Sequence, residues 1–588
     1  MSESGGLSPG KRWYMQVGNY LSVLFVLMFA VLTPSASQAP IAVGASASGQ
    51  GQPAAVAADT LIPPDRLRED LNYTSSTLGD VHPALGDGKA RQELARQAEA
   101  VAGQIRGPMS VADFYVLVTP LFTRLGDAHT ELSYPAVDSC LPLGLRFVSD
   151  GLMITEVFDE QLPLHRGDQV LQLGGKTTAA LLSALAQPIS HENEYWVRAR
   201  GGEYLTRGTI LAALELVASD RTVDFLVQHA DGRSERVRVG LALPGSQEAR
   251  GGKGVWVTGF VPVTDVNGRT YSPAAEAGLK AGDRIVTAGG SAVLSTSDLS
   301  AAAQAFGAKA LPLPLEVERE GKLIPLSVKL AAVSQEKGQN PAYMLGITYD
   351  TTGRARPLFG WRIDRQAGYG LFWLDSCDYT DEYRQAVDEF FAAVSTSGVK
   401  RVAIDLRRNG GGDSRVVDAF LKYLPLESVR YIRSEVRSSR QLGEQRGLSL
   451  WDRVYSLGAR YFWDGRVRPE RPSDSRLIFR GQVYVLTSWD TFSSATDMAA
   501  ILSDNRLATV AGEPSGNSPT AYGDPISFTA PNTGLRFRVS TKRFTRPDPE
   551  RDKVEPHNVL PPDVLIPTTI ADIRADRDPV LEWLAALR

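Results

Sequence analysis

Residues 482–511 read QVYVLTSWDTFSSATDMAAILSDNRLATVA, and this stretch decides the fold of the C-terminal half. The pattern predicts a strand over 482–487, a loop of small and aromatic residues, a helix over 495–503 and a returning strand over 507–511. Upstream, VAIDL at 402–406 is a second short buried strand, followed by a Gly-rich loop and a helix. Because strands alternate with helices, residues 336–588 are expected to form an α/β unit with a mostly parallel sheet.

Ser493 stands where a predicted strand leads into a helix, a recurring position for a catalytic nucleophile. The helix dipole favours negative charge at this end, and the Ser494 amide would point toward a developing oxyanion. Glycines at 410–412 can bring a second amide close because no side chain blocks the approach. The serines are also good helix caps and the glycines a tight turn, so the residues alone leave both interpretations open.

The region before this core is predicted to contain an N-terminal helical domain at 61–136. Arg91–Ile105 has apolar residues at helical spacing, and a second helix begins near Ser110, which can cap it. The region ends in the sequence GDAHT at 126–130, which contains His129.

Two β-rich segments follow, at 140–245 and 251–333. The sequence SPAAEAGLKAGDRIVTAGGSAV at 272–293 resembles a PDZ domain of the bacterial type, and the segment at 163–175, also with Gly-Asp before a strand, is a weaker version of it. The second segment is therefore predicted to be a PDZ domain and the first to be PDZ-like. Such domains capture an extended peptide by adding it to a sheet edge, which is a binding function.

The N-terminus predicts export. Residues 1–39 have a basic start, the apolar run Tyr20–Leu32 and small residues before Ala39, as in a signal peptide. Counted from Met15, the run reaches the low end of spanning length, so a membrane anchor is the alternative to cleavage. Residues 40–60 are predicted to be a flexible linker. The expected location is the periplasm or cell envelope, with or without this tether.

The composition excludes several classes of protein. The 588 residues are 43% hydrophobic and 22% charged, which argues for a globular, multidomain chain and against global disorder. A net charge of −4 without a basic region argues against nucleic-acid binding. Two cysteines, Cys140 and Cys377, make no disulfide framework, and their pairing stays open. No segment has metal-ligand spacing, so neither metal nor cofactor is expected.

Five segments, in order, resemble the C-terminal-processing (tail-specific) serine peptidase family, including its tricorn-type branch. The resemblance implies an α/β peptidase core related in fold to crotonase, and it covers nearly all of 61–588. The matching segments are GDAHT at 126–130, the PDZ segment in 251–333, VAIDLRRNGGGDS at 402–414, TFSSATDMAAILSDNRLATVAGEP at 491–514 and VEPHNVLPPDVLI at 554–566.

The resemblance assigns roles to individual residues. Ser493 matches the family's nucleophile, with the Ser494 and Gly411 amides as oxyanion hole and Gly410 or Gly412 as near alternatives. In the processing branch the base is a lysine 25 residues after the serine, but Ser518 stands there, and no lysine lies between 494 and 541. Only a large loop shift would bring in Lys542.

The tricorn-type branch instead uses an N-terminal histidine oriented by a late glutamate. His129 matches that base and Glu555 the orienting carboxylate, with Asp552 as fallback because the tail match is imperfect. A carboxylate that fixes the imidazole tautomer makes histidine an effective base for serine. His557 is an alternative base, and His82 is predicted to be structural.

Together these patterns predict an exported, cofactor-free serine endopeptidase that cleaves polypeptides through a Ser-His-Glu triad and captures them through its PDZ domain. The alternative is a non-catalytic, PDZ-containing peptide-binding envelope protein, which the missing lysine supports. Crotonase-like acyl-thioester chemistry is a weaker third hypothesis. The peptide specificity and the oligomeric state stay open.

Overall fold

A computed structural model gives the architecture of the chain. The described residues are 13–16, 59–134, 139–159, 161–242, 255–293, 296–319, 322–333, 342–350, 357–447, 460–463, 465–555 and 558–587.

A six-stranded sheet, here called the core sheet, organises the C-terminal half. Its first two strands pair antiparallel, and every later neighbour pairs parallel. The carboxyl ends of parallel strands meet at one edge of a sheet, so the loops that follow them are neighbours. The strands, in spatial order, are Phe359–Asp364, Tyr369–Leu374, Arg401–Asp405, Gln482–Thr487, Thr509–Gly512 and Val564–Leu565.

Both faces of the core sheet are covered, which is why all five residues of the strand Arg401–Asp405 are buried. Phe372, Phe390 and Ile501 belong to the apolar cluster on one face, and Leu486 and Leu584 to that on the other. The predicted α/β class is confirmed. The helices of this half are Asp381–Ser397, Val416–Leu421, Arg440–Gln445, Ser494–Asp504, Ile570–Arg574 and Pro579–Ala586, with 3₁₀ turns at Ser475–Leu477 and Arg551–Lys553.

A second, antiparallel sheet ties the N-terminal region to the C-terminal half. The short strand Glu131–Leu132 pairs with Arg536–Thr545, so Leu132 lies opposite Phe537. This pairing places the segment directly before Glu131, which contains His129, beside the C-terminal half. The other strands are Trp13–Gln16, Arg460–Trp463, Arg433–Arg437 and Tyr522–Thr529, and Val429–Arg430 pairs separately with Arg466–Val467.

Helices dominate residues 64–123. The predicted cap at Ser110 is confirmed, because its Oγ accepts a hydrogen bond from the Asp113 amide at 3.0 Å. These helices share one apolar cluster with Phe537 and Val539 of the antiparallel sheet. The elements are the helices Pro64–Val81, Gly88–Ala102, Val111–Val118 and Pro120–Thr123, the 3₁₀ turn Pro83–Gly86, and the strand pair Leu61–Ile62 with Met109–Ser110.

The first β-rich region, which contains one six-stranded antiparallel sheet, shares that same apolar cluster. Its strands are Leu143–Val148, Gly151–Val157, Gln169–Leu173, Lys176–Thr177, Thr222–Gln228 and Ser234–Gly240, and its helices are Thr178–Leu185, Glu194–Tyr204 and Gly208–Ala213.

The second β-rich region has its own apolar cluster. Its main strands are Val255–Phe260, Arg284–Ala288, Ser291–Ala292, Leu313–Arg319, Lys322–Val328 and Ile347–Asp350. Its helices are Pro273–Glu276 and Thr296–Gly307, and its short strand pairs are Val263–Thr264 with Thr270–Tyr271 and Ala331–Val333 with Ala342–Met344.

The two β-rich regions share one hydrogen-bonding arrangement around an aspartate. Asp168 Oδ2 accepts from the His165 amide at 2.8 Å, and Asp283 Oδ2 accepts from the Lys280 amide at 2.8 Å. Each aspartate also pairs with a side chain of the following hairpin, His229 at 3.0 Å in the first region and Arg319 in the second. The two regions thus share a local feature, while the PDZ-like character of the first region and the boundaries of both stay predictions.

Two expectations about membranes and cysteines can be compared with the structure. Within the described ranges, no helix combines the length and apolar character needed to cross a membrane. The apolar run at 20–32, on which export and the tether depend, lies outside those ranges. Cys140 and Cys377 are both buried free thiols, so the disulfide that the sequence left open is not formed.

Candidate active site

Ser493 occupies a strained turn directly before the helix Ser494–Asp504. Its backbone has φ 54° and ψ −127°, a combination that non-glycine residues rarely adopt. The Ser493 amide donates to Asn517 Oδ1 at 2.8 Å, and Thr496 Oγ1 donates to the same oxygen at 2.7 Å. Ser493 makes no side-chain cap to the helix. Asn517 therefore holds the turn, and the hydroxyl is not used as a helix cap.

His129 lies directly against this hydroxyl. Its Nε2 is 2.9 Å from Ser493 Oγ, although the two residues are 364 positions apart in the chain. The His129 amide donates to Asp127 Oδ1 at 2.9 Å, and the imidazole packs against the Phe492 ring with centroids 4.5 Å apart. The structure thus brings together the two predicted residues that matter most for acyl transfer.

Burial controls the protonation of His129. Removal from solvent lowers the pKa of His129 below its ordinary 6.5, although the charge of Asp127 opposes this shift. Burial alone would raise the pKa of Asp127, but hydrogen bonds from His82 and Ser540 and the nearby imidazoles outweigh it, so this pKa is lowered. His129 is therefore neutral near pH 7, as a general base must be, beside an ionised aspartate.

His82 serves Asp127 rather than the serine. Its Nε2 lies 3.0 Å from Asp127 Oδ2, while its Nδ1 accepts from the Ala84 amide at 3.2 Å. Because Nδ1 accepts a hydrogen bond, Nε2 carries the hydrogen that is donated to the aspartate. His82 has the structural role predicted for it.

The structure does not bring Glu555 to His129. Glu555 Oε2 accepts from Arg546 Nη1 at 2.6 Å, and Oε1 accepts from Arg551. The fallback residue Asp552 accepts from Thr520 Oγ1 at 2.7 Å. The physical reason is Arg546, whose side chain is only 1% exposed and requires carboxylate partners. In the described part of the chain neither acid is hydrogen-bonded to His129, so the geometry does not support Glu555 as its orienting residue.

A different glutamate lies beside the imidazole. One carboxylate oxygen each of Asp127 and Glu192 and one nitrogen of His129 lie within 4.8 Å of one another. Glu192 precedes the helix Glu194–Tyr204 in the first β-rich region, and its Oε1 accepts from the Ala128 amide at 3.2 Å. Sequence reasoning missed Glu192 because that region was interpreted as a binding module, and no local motif marks the residue.

The Gly-rich loop touches the serine from the other side. A Cβ on Gly411 would lie 2.5 Å from Ser493 Cβ, so only glycine fits there. The Gly411 amide donates to Asn409 Oδ1 at 2.8 Å. Among the described residues, the amides of Gly412 and Ser494 have no protein acceptor. The loop therefore offers backbone donors close to Ser493, with Gly411 engaged in this state.

Of the two alternative bases, only Lys542 lies among the described residues, and it does not replace His129. Lys542 Nζ forms an ion pair with Asp524 Oδ2 at 2.8 Å. His557 lies outside the described residues. A Ser–Lys dyad with Lys542 is therefore not formed.

Comparisons with known proteins agree with the two domain types predicted. Residues 370–564 match the model of peptidase family S41, and residues 248–330 match the PDZ domain model. These matches confirm the predicted resemblance. No curated protein is similar enough in sequence to count as a relative.

Two solved structures of CPAF have an overall fold similar to that of this chain. Mature CPAF complexed with lactacystin is 14% identical with a TM-score of 0.53, covering 89% of this chain and 97% of that chain. A CPAF mutant is 13% identical with a TM-score of 0.54, covering 89% and 96%. The photosystem II D1 C-terminal processing protease is 12% identical with a TM-score of 0.34, covering 85% and 93%. The fold of this chain is thus the fold of CPAF.

Proposed function

Because the chain carries a peptidase family S41 domain and a PDZ domain, we propose that it is a serine endopeptidase in which Ser493 is the nucleophile and His129 the general base. The observation that carries this proposal is the 2.9 Å contact between His129 Nε2 and Ser493 Oγ. A free serine hydroxyl is a weak nucleophile, and an adjacent neutral imidazole is the group that activates it.

The reaction would follow acyl transfer. Ser493 Oγ bonds to the carbonyl carbon of the peptide while its proton passes to His129 Nε2, and the carbonyl π electrons move to oxygen. The C–N bond then breaks, and the leaving amine takes the proton from the imidazole. Water attacks the resulting ester with the same proton transfers, which releases the acid and restores Ser493. This cycle requires only side chains and backbone amides.

Backbone amides would stabilise the oxyanion. We assign one donor to Ser494, at the start of its helix, and the other to Gly411, which lies against Ser493. Gly411 can serve only if its hydrogen bond to Asn409 lengthens when the substrate oxygen arrives. Gly412 is the alternative donor.

The PDZ domain would supply polypeptide substrates to this site. A PDZ domain adds an extended chain to a sheet edge, so it selects unfolded segments or chain ends. Export to the periplasm or cell envelope is part of the proposal, supported by the basic start and apolar run within residues 1–39.

Labelling with a fluorophosphonate tests the proposal directly. The full chain should be labelled and should hydrolyse unfolded polypeptides, and Ser493→Ala should lose both activities. Ser494→Ala is the matched control, because its hydroxyl donates to Gly412 O at 2.7 Å and is not the nucleophile. If Ser493→Ala retains hydrolysis and Ser494→Ala loses it, the nucleophile is Ser494 and not Ser493. The family matches and the serine–histidine contact do not favour the non-catalytic alternative.

A further inference from the structure

Two buried atoms beside the proposed base lack hydrogen-bond partners. Among the described residues these are His129 Nδ1 and Glu192 Oε2, both out of contact with solvent. A buried polar atom without a partner is costly and calls for an explanation. We propose that Glu192 is the positioning residue of His129, accepting the Nδ1 hydrogen while Nε2 takes the proton of Ser493. This inference rests on the proposed function.

Asp127 is closer to His129 in sequence, but its oxygens are already used. Oδ1 accepts from the His129 amide at 2.9 Å, and Oδ2 accepts from Ser540 Oγ at 2.6 Å and from His82 at 3.0 Å. Its Oδ1 lies 3.8 Å from His129 Nδ1, and an oxygen of Glu192 lies within 4.8 Å of a His129 nitrogen, so neither acid is hydrogen-bonded to the imidazole in this state and the proposed contact requires the Glu192 carboxylate to move closer. Asp127 supplies negative charge near the ring, whereas Glu192 Oε2 has no hydrogen-bond partner at normal distance among the described residues, although the Ser518 amide also faces this carboxylate.

The segment that carries Glu192 is held firmly over the site. Its Oε1 accepts from Ala128, the residue before His129, at 3.2 Å. The neighbouring Asn193 Nδ2 donates to the carbonyls of Gly516 at 3.1 Å and Asn558 at 2.7 Å. These contacts give the first β-rich region a part in the proposed catalytic site as well as in the fold.

An aromatic stack fixes the same segment from a second side. The Trp196 ring stacks on Phe492 with centroids 4.0 Å apart, and Phe492 in turn packs against the His129 imidazole. The stack packs the helix that follows Glu192 against Phe492 and so against His129, which limits how far this segment and the imidazole can shift relative to each other.

The charges around His129 predict how the pair titrates. The negative charges of Asp127, Glu131 and Asp524 raise the pKa of His129, and the positive charge of Arg538 lowers it. The Glu192 carboxylate also lies within 4.8 Å of the imidazole. Burial raises the pKa of Glu192 well above its ordinary value, and the charge of Asp127 adds to this shift. A protonated Glu192 would donate to Nδ1 and leave hydrogen on Nε2, which cannot then accept the serine proton. The active form has therefore lost a proton from the pair, and the two groups titrate together.

Replacing Glu192 with glutamine tests the inference. Because Oε1 is fixed by the Ala128 amide, the new NH₂ group would face His129 Nδ1 and stabilise the wrong tautomer. We expect kcat to fall by about 10³- to 10⁴-fold with little change in KM, as when a triad aspartate becomes asparagine. The acidic limb of kcat/KM should also move to lower pH, because only His129, whose pKa burial lowers, then titrates. Glu192→Asp keeps the carboxylate and should restore the wild-type limb and part of kcat.

Glu555→Gln is the matched control. It alters the ion pairs with Arg546 and Arg551, so it should lower the melting temperature and leave kcat and the acidic limb unchanged. A folded Glu192→Gln enzyme with wild-type kcat and limb overturns the inference, as does a loss of kcat in Glu555→Gln. The inference is also overturned if Glu192→Asp does not restore the wild-type acidic limb of the kcat/KM profile. Each of these outcomes leaves Ser493→Ala inactive, whereas an active Ser493→Ala would overturn the proposed function itself.

Discussion

His129 Nε2 and Ser493 Oγ are 2.9 Å apart, yet each residue is placed by a different sheet. Ser493 follows the core-sheet strand Gln482–Thr487, whereas His129 precedes the strand Glu131–Leu132 of the antiparallel sheet. The contact therefore forms only when the N-terminal region has docked onto the C-terminal half. A site assembled in this way is complete only when both regions have folded and docked.

Because the turn at Ser493 is strained, the two substitutions that remove its hydroxyl, to alanine and to glycine, should differ in stability. Both Ser493→Ala and Ser493→Gly should abolish hydrolysis and fluorophosphonate labelling. Glycine adopts φ 54° at little cost, whereas alanine bears the same steric strain as serine, so Ser493→Gly should be more stable than Ser493→Ala by about 1 kcal/mol. Urea denaturation of both variants measures the difference. Equal stabilities would show that the turn relaxes when the hydroxyl is absent.

The identity of the general base can be tested with a pair of alanine variants. His129→Ala should reduce kcat by several orders of magnitude, because the serine loses its proton acceptor. Lys542→Ala removes only a partly exposed ion pair with Asp524, so it should leave kcat unchanged and cost at most about 1 kcal/mol of stability. The reverse result, with Lys542→Ala inactive and His129→Ala active, would restore a Ser–Lys dyad.

The pH dependence of stability should report on Asp127. Its folded pKa is held below the ordinary 3.8, so its stabilising contribution is complete above about pH 4 and is lost as the pH falls further. Asp127→Asn weakens the hydrogen bonds from His82 and Ser540, and we expect a loss of about 3 kcal/mol at pH 7. Denaturation at pH 7 and below pH 3.8 should show the gap between variant and wild type narrowing as acid is added. A gap independent of pH would mean that Asp127 is not ionised in the folded protein.

Local patterns predicted the core sheet well. The strand predicted over 482–487 is found at Gln482–Thr487, and the helix predicted over 495–503 is found at Ser494–Asp504. Short apolar strands bounded by small residues, followed by amphipathic helices, have strong local signals. The same signals placed Ser493 in the loop between this strand and the helix, which is why its position could be predicted.

The partners of the site could not be predicted in this way. Glu192, Asn517 and the buried ion pair of Arg546 with Asp504 depend on which distant segments meet. Nothing in the sequence at 546–553 indicates that Arg546 is buried. Because the buried guanidinium needs a carboxylate partner, Glu555 pairs with Arg546 and not with His129. Family resemblance supplied Glu555 by position along the chain, and position alone does not determine side-chain contacts.

Asn517 should matter for catalysis although it is not one of the proposed reacting groups. Its Oδ1 accepts from both the Ser493 amide and Thr496 Oγ1, so Asn517→Ala leaves the strained turn without its support. Losing such buried hydrogen bonds costs about 1–3 kcal/mol, and if this cost falls on the transition state it corresponds to roughly a 5- to 160-fold fall in kcat. Asn517→Asp keeps an acceptor and should retain more activity than the alanine variant. Similar kcat values for the wild type and Asn517→Ala would show that the turn is held by other contacts.

The PDZ domain should affect long substrates more than short ones. Residues 255–350 have their own apolar cluster, separate from the clusters around Ser493 and His129. Deleting 251–333 should therefore lower kcat/KM for unfolded proteins while short peptides are cleaved at nearly the wild-type rate, because edge-strand capture requires extended chain. Parallel assays with an unfolded protein and a short fluorogenic peptide measure the ratio, and fluorophosphonate labelling checks that the site is intact. An equal loss on both substrates would mean that the PDZ domain helps to assemble the catalytic site rather than to deliver chains to it.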